Sequence, residues 1–200
     1  MTEHRPLPQA VLATHNPHKL EELVAMGLAP CYEWVSLSRL GIKAVPDENG
    51  LTFRDNALIK AMAARKASGL PALADDSGLE ITALDGKPGI HSSVFAGAGA
   101  SDQAHYERVL QMMEGKEDRR ARFVCVLCFV KDEEAVFFEG TLNGTILQRP
   151  QGQGGFGYDP VFEADEKPGL SLAELGPEGK NALSHRRKAL RLFQLWLSAV

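Results

Sequence analysis

At 200 residues the chain is long enough to bury a substantial core, as one domain or as two lobes around a cleft. With 44% hydrophobic and 24% charged residues it has the composition of a globular protein, and its net charge of −4 gives no general attraction for nucleic acid, whose binding rests on clustered Lys and Arg. No run approaches the ~20 apolar residues of a membrane span. The polar, proline-bearing start at 1–9 lacks the apolar centre of a signal peptide, so a cytoplasmic, reducing setting is expected.

In chain order, 10–14 reads as a short buried strand. Asn16 then reads as a helix N-cap with Pro17 at the first helical position, the helix running to about Gly27. A short apolar element covers 32–37. Thr52 is an N-cap with Asp55 three residues on, opening a helix over 53–68 that Gly69 closes. Residues 72–74 read as a brief strand and 79–84 as another, separated by Asp75-Asp76-Ser77-Gly78. The stretch 86–99, rich in Gly, Ser and Pro, reads as an ordered loop, and Ser101 caps a helix from Asp102 to about Glu114. Strands follow at 122–131, 135–139 and 145–149, with an Asn143-Gly144 turn before the last. A final helix is expected over 181–198, with Lys180 preceding it. Helices and strands alternate early and strands run consecutively later, which favours a mixed α/β sheet. Cys125-Val126-Leu127-Cys128 has the CxxC form. It lies inside an apolar strand with no second cysteine pair, and reads as core packing rather than a metal or redox site.

Five segments carry polar chemistry. Gly152-Gln153-Gly154-Gly155-Phe156-Gly157-Tyr158-Asp159-Pro160 holds four glycines in six residues, followed by two rings and a carboxylate. Such a backbone approaches a ligand closely, and the combination suits a planar base; a plain surface turn is the competing reading. Thr14-His15-Asn16-Pro17-His18-Lys19 joins a strand to a helix whose first N–H groups favour an anion. Lys19 opposes the helix dipole there unless a phosphate faces it; a solvated lysine on an ordinary capped helix fits equally. Asp47 and Glu48 lie in a loop before Gly50, followed by Asp55-Asn56 and Lys60; an exposed acidic loop of this kind is ordinarily just solvated. Asp75-Asp76-Ser77 at a strand end suits magnesium, which takes few protein oxygens, or else an Asx turn. Lys180, His185 and Arg186 either serve a ligand edge or complete the last helix.

Taken together, these segments resemble the inosine/xanthosine triphosphate pyrophosphatase family over nearly the whole chain. The matching residues are Thr14-x-Asn16-x-x-Lys19, Glu48-Asn49-Gly50-Leu51-Thr52-Phe53-x-x-Asn56-Ala57-x-x-Lys60-Ala61 and Ala74-Asp75-Asp76-Ser77-Gly78-Leu79. Further on come Pro88-Gly89-Ile90-x-Ser92, Gly154-Gly155-Phe156-Gly157-Tyr158-Asp159-Pro160 and Lys180-Asn181-Ala182-x-Ser184-His185-Arg186. The resemblance implies an elongated two-lobed α/β fold around a long mixed sheet with flanking helices, of the Maf/Ham1 type, and usually a homodimer. It implies magnesium-dependent cleavage of deaminated purine nucleoside triphosphates (XTP, ITP, dITP) to the monophosphate and pyrophosphate. Carried over residue by residue, Lys19 and the loop through Thr14, His15, Asn16, Pro17 and His18 hold phosphates. Glu48 and Asp76 bind Mg²⁺, Asp76 also activates water, and Ser77 touches substrate. Phe156, Gly157, Tyr158 and Asp159 cradle the purine, and Lys180, His185 and Arg186 read its edge. His15 and His18 depart from the small residues frequent in the family. A Maf-type pyrophosphatase for other nucleotides and a silent nucleotide sensor are the alternatives; the complete Ser-His-Arg ending argues against the first, and intact Lys19, Glu48 and Asp76 against the second.

Overall fold

A computed structural model of the chain describes residues 7–14, 16–43 and 46–199. Its strands are β1 (Gln9–Leu12), β2 (Glu33–Ser36), β3 (Ala72–Ile81), β4 (Arg120–Lys131), β5 (Glu134–Ile146) and β6 (Phe162–Ala164). Its helices are α1 (Pro17–Ala25), α2 (Phe53–Ser68), α3 (Asp102–Met112), α4 (Gly176–Leu183) and α5 (His185–Leu197). The strands form one sheet in the order β2-β1-β3-β4-β5-β6. β1 lies parallel to both β2 and β3, as strand-helix-strand crossovers require, while β5 and β6 are antiparallel. The two-residue link between β4 and β5 permits only antiparallel pairing. The sheet is therefore mixed, as expected.

Local signals set the helix ends. The Asn16 side chain accepts from His18 N and Lys19 N, and Pro17 opens α1. Thr52 and Asp55 form a reciprocal capping box on α2, and Gly69 ends that helix at φ +73, a conformation open to glycine without steric cost. α2 turns Ala57, Ala61 and Ala64 inward, and these small residues allow close packing on the sheet.

Three expectations need correction. β3 is one ten-residue strand rather than two pieces broken at Asp75-Gly78. Its buried carboxylates are met by lysines from elsewhere in the chain, so the strand has no need to turn out to water. β5 is also continuous, and Asn143-Gly144 lies within it. Gly144 is there for space: a Cβ would sit 2.1 Å from the Glu163 carbonyl on β6. The last helix is two, α4 and α5, broken at Ser184 with φ −60 and ψ 152. Ser184 Oγ accepts from Arg187 N and so caps α5, which places Lys180 inside α4 rather than before a helix.

The chain forms two compact units. The first comprises the described residues through Asp76, Val126–Phe138 and the stretch from Leu190. Its core holds an aromatic cluster in which Phe193 packs on Trp34, Phe129, Phe138 and Trp196. The second comprises Ser77–Cys125 and Glu139–Ala189, with Leu79, Ile81, Val109, Phe123, Leu142, Ile146, Tyr158 and Phe162 at its centre. Cys125 and Cys128 are both buried on β4. Three positions apart on a strand, they point to opposite faces, which fits core packing.

Candidate active site

In the first unit the chemistry gathers around the start of β3. Lys19, in the first turn of α1, places Nζ 2.9 Å from Asp75 Oδ2, and that carboxylate is almost fully buried. Lys60, two turns into α2, places Nζ 2.7 Å from Asp76 Oδ1 and 3.1 Å from Glu48 Oε2. Neighbouring strand residues alternate faces, so Asp75 and Asp76 each take their own lysine. The loop carrying Glu48 is pinned from α2: buried Asn56 accepts Gly50 N at 2.9 Å. Gly50 admits no side chain, because a Cβ would lie 2.6 Å from Asn56 Oδ1.

Three carboxylates thus face two ammonium groups. Burial pushes the Asp76 carboxyl above the usual carboxylate range; Lys60 and Lys19 offset only part of this, and Asp75 adds to it. For Lys60 burial acts downward, yet Asp75, Asp76 and Glu48 together outweigh it and raise the ammonium. The two shifts share a direction but not a cause: burial raises Asp76, and neighbouring carboxylates raise Lys60. Asp76 Oδ2 is buried without a hydrogen-bond partner. A buried carboxylate oxygen in that state is costly unless something else meets it. Beside Glu48, which already shares one cation with Asp76, it fits a divalent ion that takes one or two carboxylates and completes its shell with water and phosphate.

In the second unit the glycine-rich loop is held from within and from outside. Asp159 Oδ2 accepts from Phe156 N at 2.8 Å and from Lys180 Nζ at 2.6 Å, and this ion pair is buried. The Lys180 ammonium also lies 4.0 Å from the centre of the Phe156 ring, a cation–π contact. Tyr158 turns inward, its hydroxyl donating to the Ser92 carbonyl at 2.7 Å. Ser92 in turn accepts from Leu79 N and donates to Gly89 O through its hydroxyl. That accounts for the Pro88-Gly89-Ile90-x-Ser92 segment: it buttresses both the end of β3 and the loop. His185 stacks on Phe123 at 4.9 Å, 11° from parallel, and Arg186 Nη2 donates to Ser77 Oγ at 3.0 Å. Both residues open α5 and both are buried.

Within the first unit the structure brings together Lys19, Glu48 and Asp76, and within the second Phe156, Asp159 and Lys180, and separately Ser77 and Arg186. Thr14 Oγ accepts from Asn16 N, and Pro17 and His18 sit exposed at the start of α1. Gly157 is half-buried with φ +63. His15 lies outside the described residues. Asp47 is exposed. Among the described residues no group of three or more His, Cys, Asp or Glu gathers as a metal cage. Lys60 and Asp75 were named in the sequence but given no role of their own, Asp75 only as part of the Asp75-Asp76-Ser77 strand end. Lys60 lies inside the matched Asn56-Ala57-x-x-Lys60 segment, and its signal was a lysine on the otherwise alanine-lined face of α2.

Fold and site together define an α/β enzyme in which lysines from two helices meet adjacent carboxylates on one strand, and a glycine-rich loop is held by a buried lysine elsewhere. The chain belongs to the Ham1 family, whose model matches residues 10–196. It is 47% identical to the dITP/XTP pyrophosphatase of Methylococcus capsulatus, covering 95% of this chain and 96% of that protein. The protein of the same name from Bacillus subtilis is 41% identical, with 96% and 98% covered. Among solved structures, the Ham1 protein of Coxiella burnetii superposes with a TM-score of 0.89 at 38% identity, covering 97% of this chain and all of that one. The Staphylococcus aureus Ham1 protein gives 0.87 at 39% identity, with 96% and 98% covered.

Proposed function

We infer that this chain hydrolyses the deaminated purine nucleoside triphosphates XTP, ITP and dITP to the monophosphate and pyrophosphate, removing them from the nucleotide pool. The observation that carries this reading is identity of 41–47%, over more than nine-tenths of both chains, to proteins named dITP/XTP pyrophosphatase.

In our proposal the triphosphate is handled by residues of the first unit. Lys19 exchanges its bond to Asp75 for a phosphate oxygen, and the N–H groups at the start of α1, with Thr14, Asn16, Pro17 and His18 around them, face the same charge. Glu48 and Asp76 hold Mg²⁺, which when bound polarises phosphoryl oxygens. Support for that ligand pair is the partnerless Asp76 Oδ2 and the cation that Glu48 and Asp76 already share. Asp76 orients the attacking water and takes its proton, a role that its raised proton affinity favours. Phosphoryl transfer depends chiefly on such positioning and charge neutralisation.

The base is assigned to residues of the second unit: Ser77, the loop from Phe156 to Asp159, and Lys180, His185 and Arg186. Hypoxanthine and xanthine present a 6-oxo acceptor where adenine has an amine, so cationic donors select for them. Phosphorus NMR of the products tests the reaction: ITP gives inosine monophosphate and pyrophosphate, whereas a nucleotide sensor leaves ITP intact and a phosphatase releases orthophosphate. A homodimer in the cytoplasm completes the reading. No helix of the described residues is long and apolar enough to cross a membrane.

A further inference from the structure

The glycine-rich loop makes one contact that the proposed reaction does not use. Gly157 N donates to Asp102 Oδ2 at 2.7 Å, across 55 positions of sequence. The other end of the same peptide is also engaged, since the Phe156 carbonyl accepts from Asp159 N at 3.3 Å. Gly157 has φ +63, and a Cβ there would meet nothing within 4 Å. Space around this glycine therefore places no restraint on the backbone, and glycine itself crosses easily between positive and negative φ. These two hydrogen bonds fix the orientation of the Phe156–Gly157 peptide at both of its ends, and Asp102 makes the charged one.

Asp102 is suited to that work. It is the first residue of α3, beyond the Ser101 cap whose hydroxyl accepts from Ala104 N. A carboxylate at a helix start is favoured by the dipole. Three residues on, and so on the same side of the helix, the His105 ring packs 6.3 Å from Tyr158 of the loop. His105 is itself held, accepting from Ala96 N at Nδ1. α3 thus grips the loop at two consecutive residues, by charge at Gly157 and by ring packing at Tyr158. The peptide fixed in this way carries the Phe156 ring over which Lys180 lies.

We propose that Asp102 is a positioning residue for base recognition: its carboxylate locks the Phe156–Gly157 peptide and thereby presents Phe156 to the purine. This rests on the reading that the loop receives the base. Removing the lock lets the peptide turn over in the free enzyme, so the base finds its platform formed only part of the time. The loss then falls on affinity for the nucleoside portion, while groups around Asp76 act unchanged on substrate once it is bound.

The test compares Asp102→Ala, Asp102→Asn and Phe156→Ala by steady-state kinetics on ITP, by product inhibition with inorganic pyrophosphate and by thermal melting. Asp102→Ala is expected to raise KM for ITP about tenfold, equivalent to about 1.4 kcal/mol. Its kcat stays within about twofold and its pyrophosphate inhibition is unchanged, while the lost hydrogen bond and helix-dipole contact lower the melting temperature by only a few degrees. Asp102→Asn keeps an acceptor oxygen and recovers most of the loss. Should Asp102→Ala leave KM for ITP unchanged, or weaken pyrophosphate inhibition as much as it raises KM, the positioning role is overturned. Phe156→Ala separates the two levels. If it raises KM while Asp102→Ala does not, only the lock is wrong; if it leaves KM for ITP unchanged, the assignment of the loop to the base is wrong and the lock falls with it.

Discussion

Gly155→Ala reports directly on how the loop and Lys180 depend on each other. Gly155 has φ +71, and a Cβ on it would lie 2.1 Å from Asp159 Oδ2. Left-handed backbone costs a residue with a Cβ about 1–2 kcal/mol. The collision adds a second cost, because the Asp159 carboxylate must swing away from both Phe156 N and the buried Lys180 ammonium. A hydrogen bond to a charged group is worth about 1.5–3 kcal/mol, giving a total near 3–5 kcal/mol. At this chain length each kcal/mol moves the melting point by about 2–4 °C, so a fall of roughly 10 °C is expected in a calorimetric or fluorescence melt. Gly157→Ala is the control: its φ of +63 carries the same backbone cost, but its Cβ meets nothing within 4 Å. That variant should lose only about 1–2 kcal/mol. Equal melting temperatures for the two variants would refute the reasoning, since they differ in the Asp159 collision and not in backbone strain.

Three further outcomes follow from the same geometry. Asp76→Asn should cut turnover by at least ~10²-fold, the value of one catalytic base, without lowering the melting temperature near neutral pH. The raised Asp76 carboxyl means that its ionised form costs the fold more than its lysines return; a melting point well below wild type would contradict this. The sign of the pH effect is the reverse of the common aspartate case. The folded state binds this proton more tightly than the unfolded chain, so the contribution of Asp76 to stability grows as pH falls through its raised value and is lost as pH rises above it. In the proposed reading Mg²⁺ would compete with the same proton, so its affinity, measured by calorimetry, should weaken as pH falls through that value and should lose this dependence in Asp76→Asn. Finally, burial pushes the Cys128 thiol up to about 12, and Cys125 is buried with it, whereas Cys31 is exposed. A thiol reagent should therefore titrate one cysteine in the native protein and three after denaturation.

What the sequence made legible was what short-range chemistry decides. Asn16 with Pro17, and Thr52 with Asp55 and Gly69, mark helix ends through contacts within a few residues, and the helices begin and end accordingly. What it hid was decided across the chain. Asp75-Asp76-Ser77-Gly78 looks like a turn until Lys19 and Lys60 are brought to it, after which a continuous strand is tolerated. Asn143-Gly144 is a turn signal in isolation, yet Gly144 exists for the close passage of β6. Ser184 read as part of a helix because its capping role shows only once the chain bends there. The site followed the same division. Motif residues named Lys19, Glu48, Asp76, Asp159 and Lys180, but only the fold reveals that Lys60 joins Glu48 to Asp76 and that Asp102 reaches the glycine-rich loop.

The central claim is that this chain selects deaminated purines and splits their triphosphates. The most direct measurement is pyrophosphate release in the presence of Mg²⁺, compared as kcat/KM for ITP, XTP and dITP against ATP and GTP. The deaminated substrates should exceed ATP and GTP by at least the ~10- to 100-fold that one charged hydrogen bond to the base provides. Equal kcat/KM across all five nucleotides, or no pyrophosphate from any of them, would contradict it.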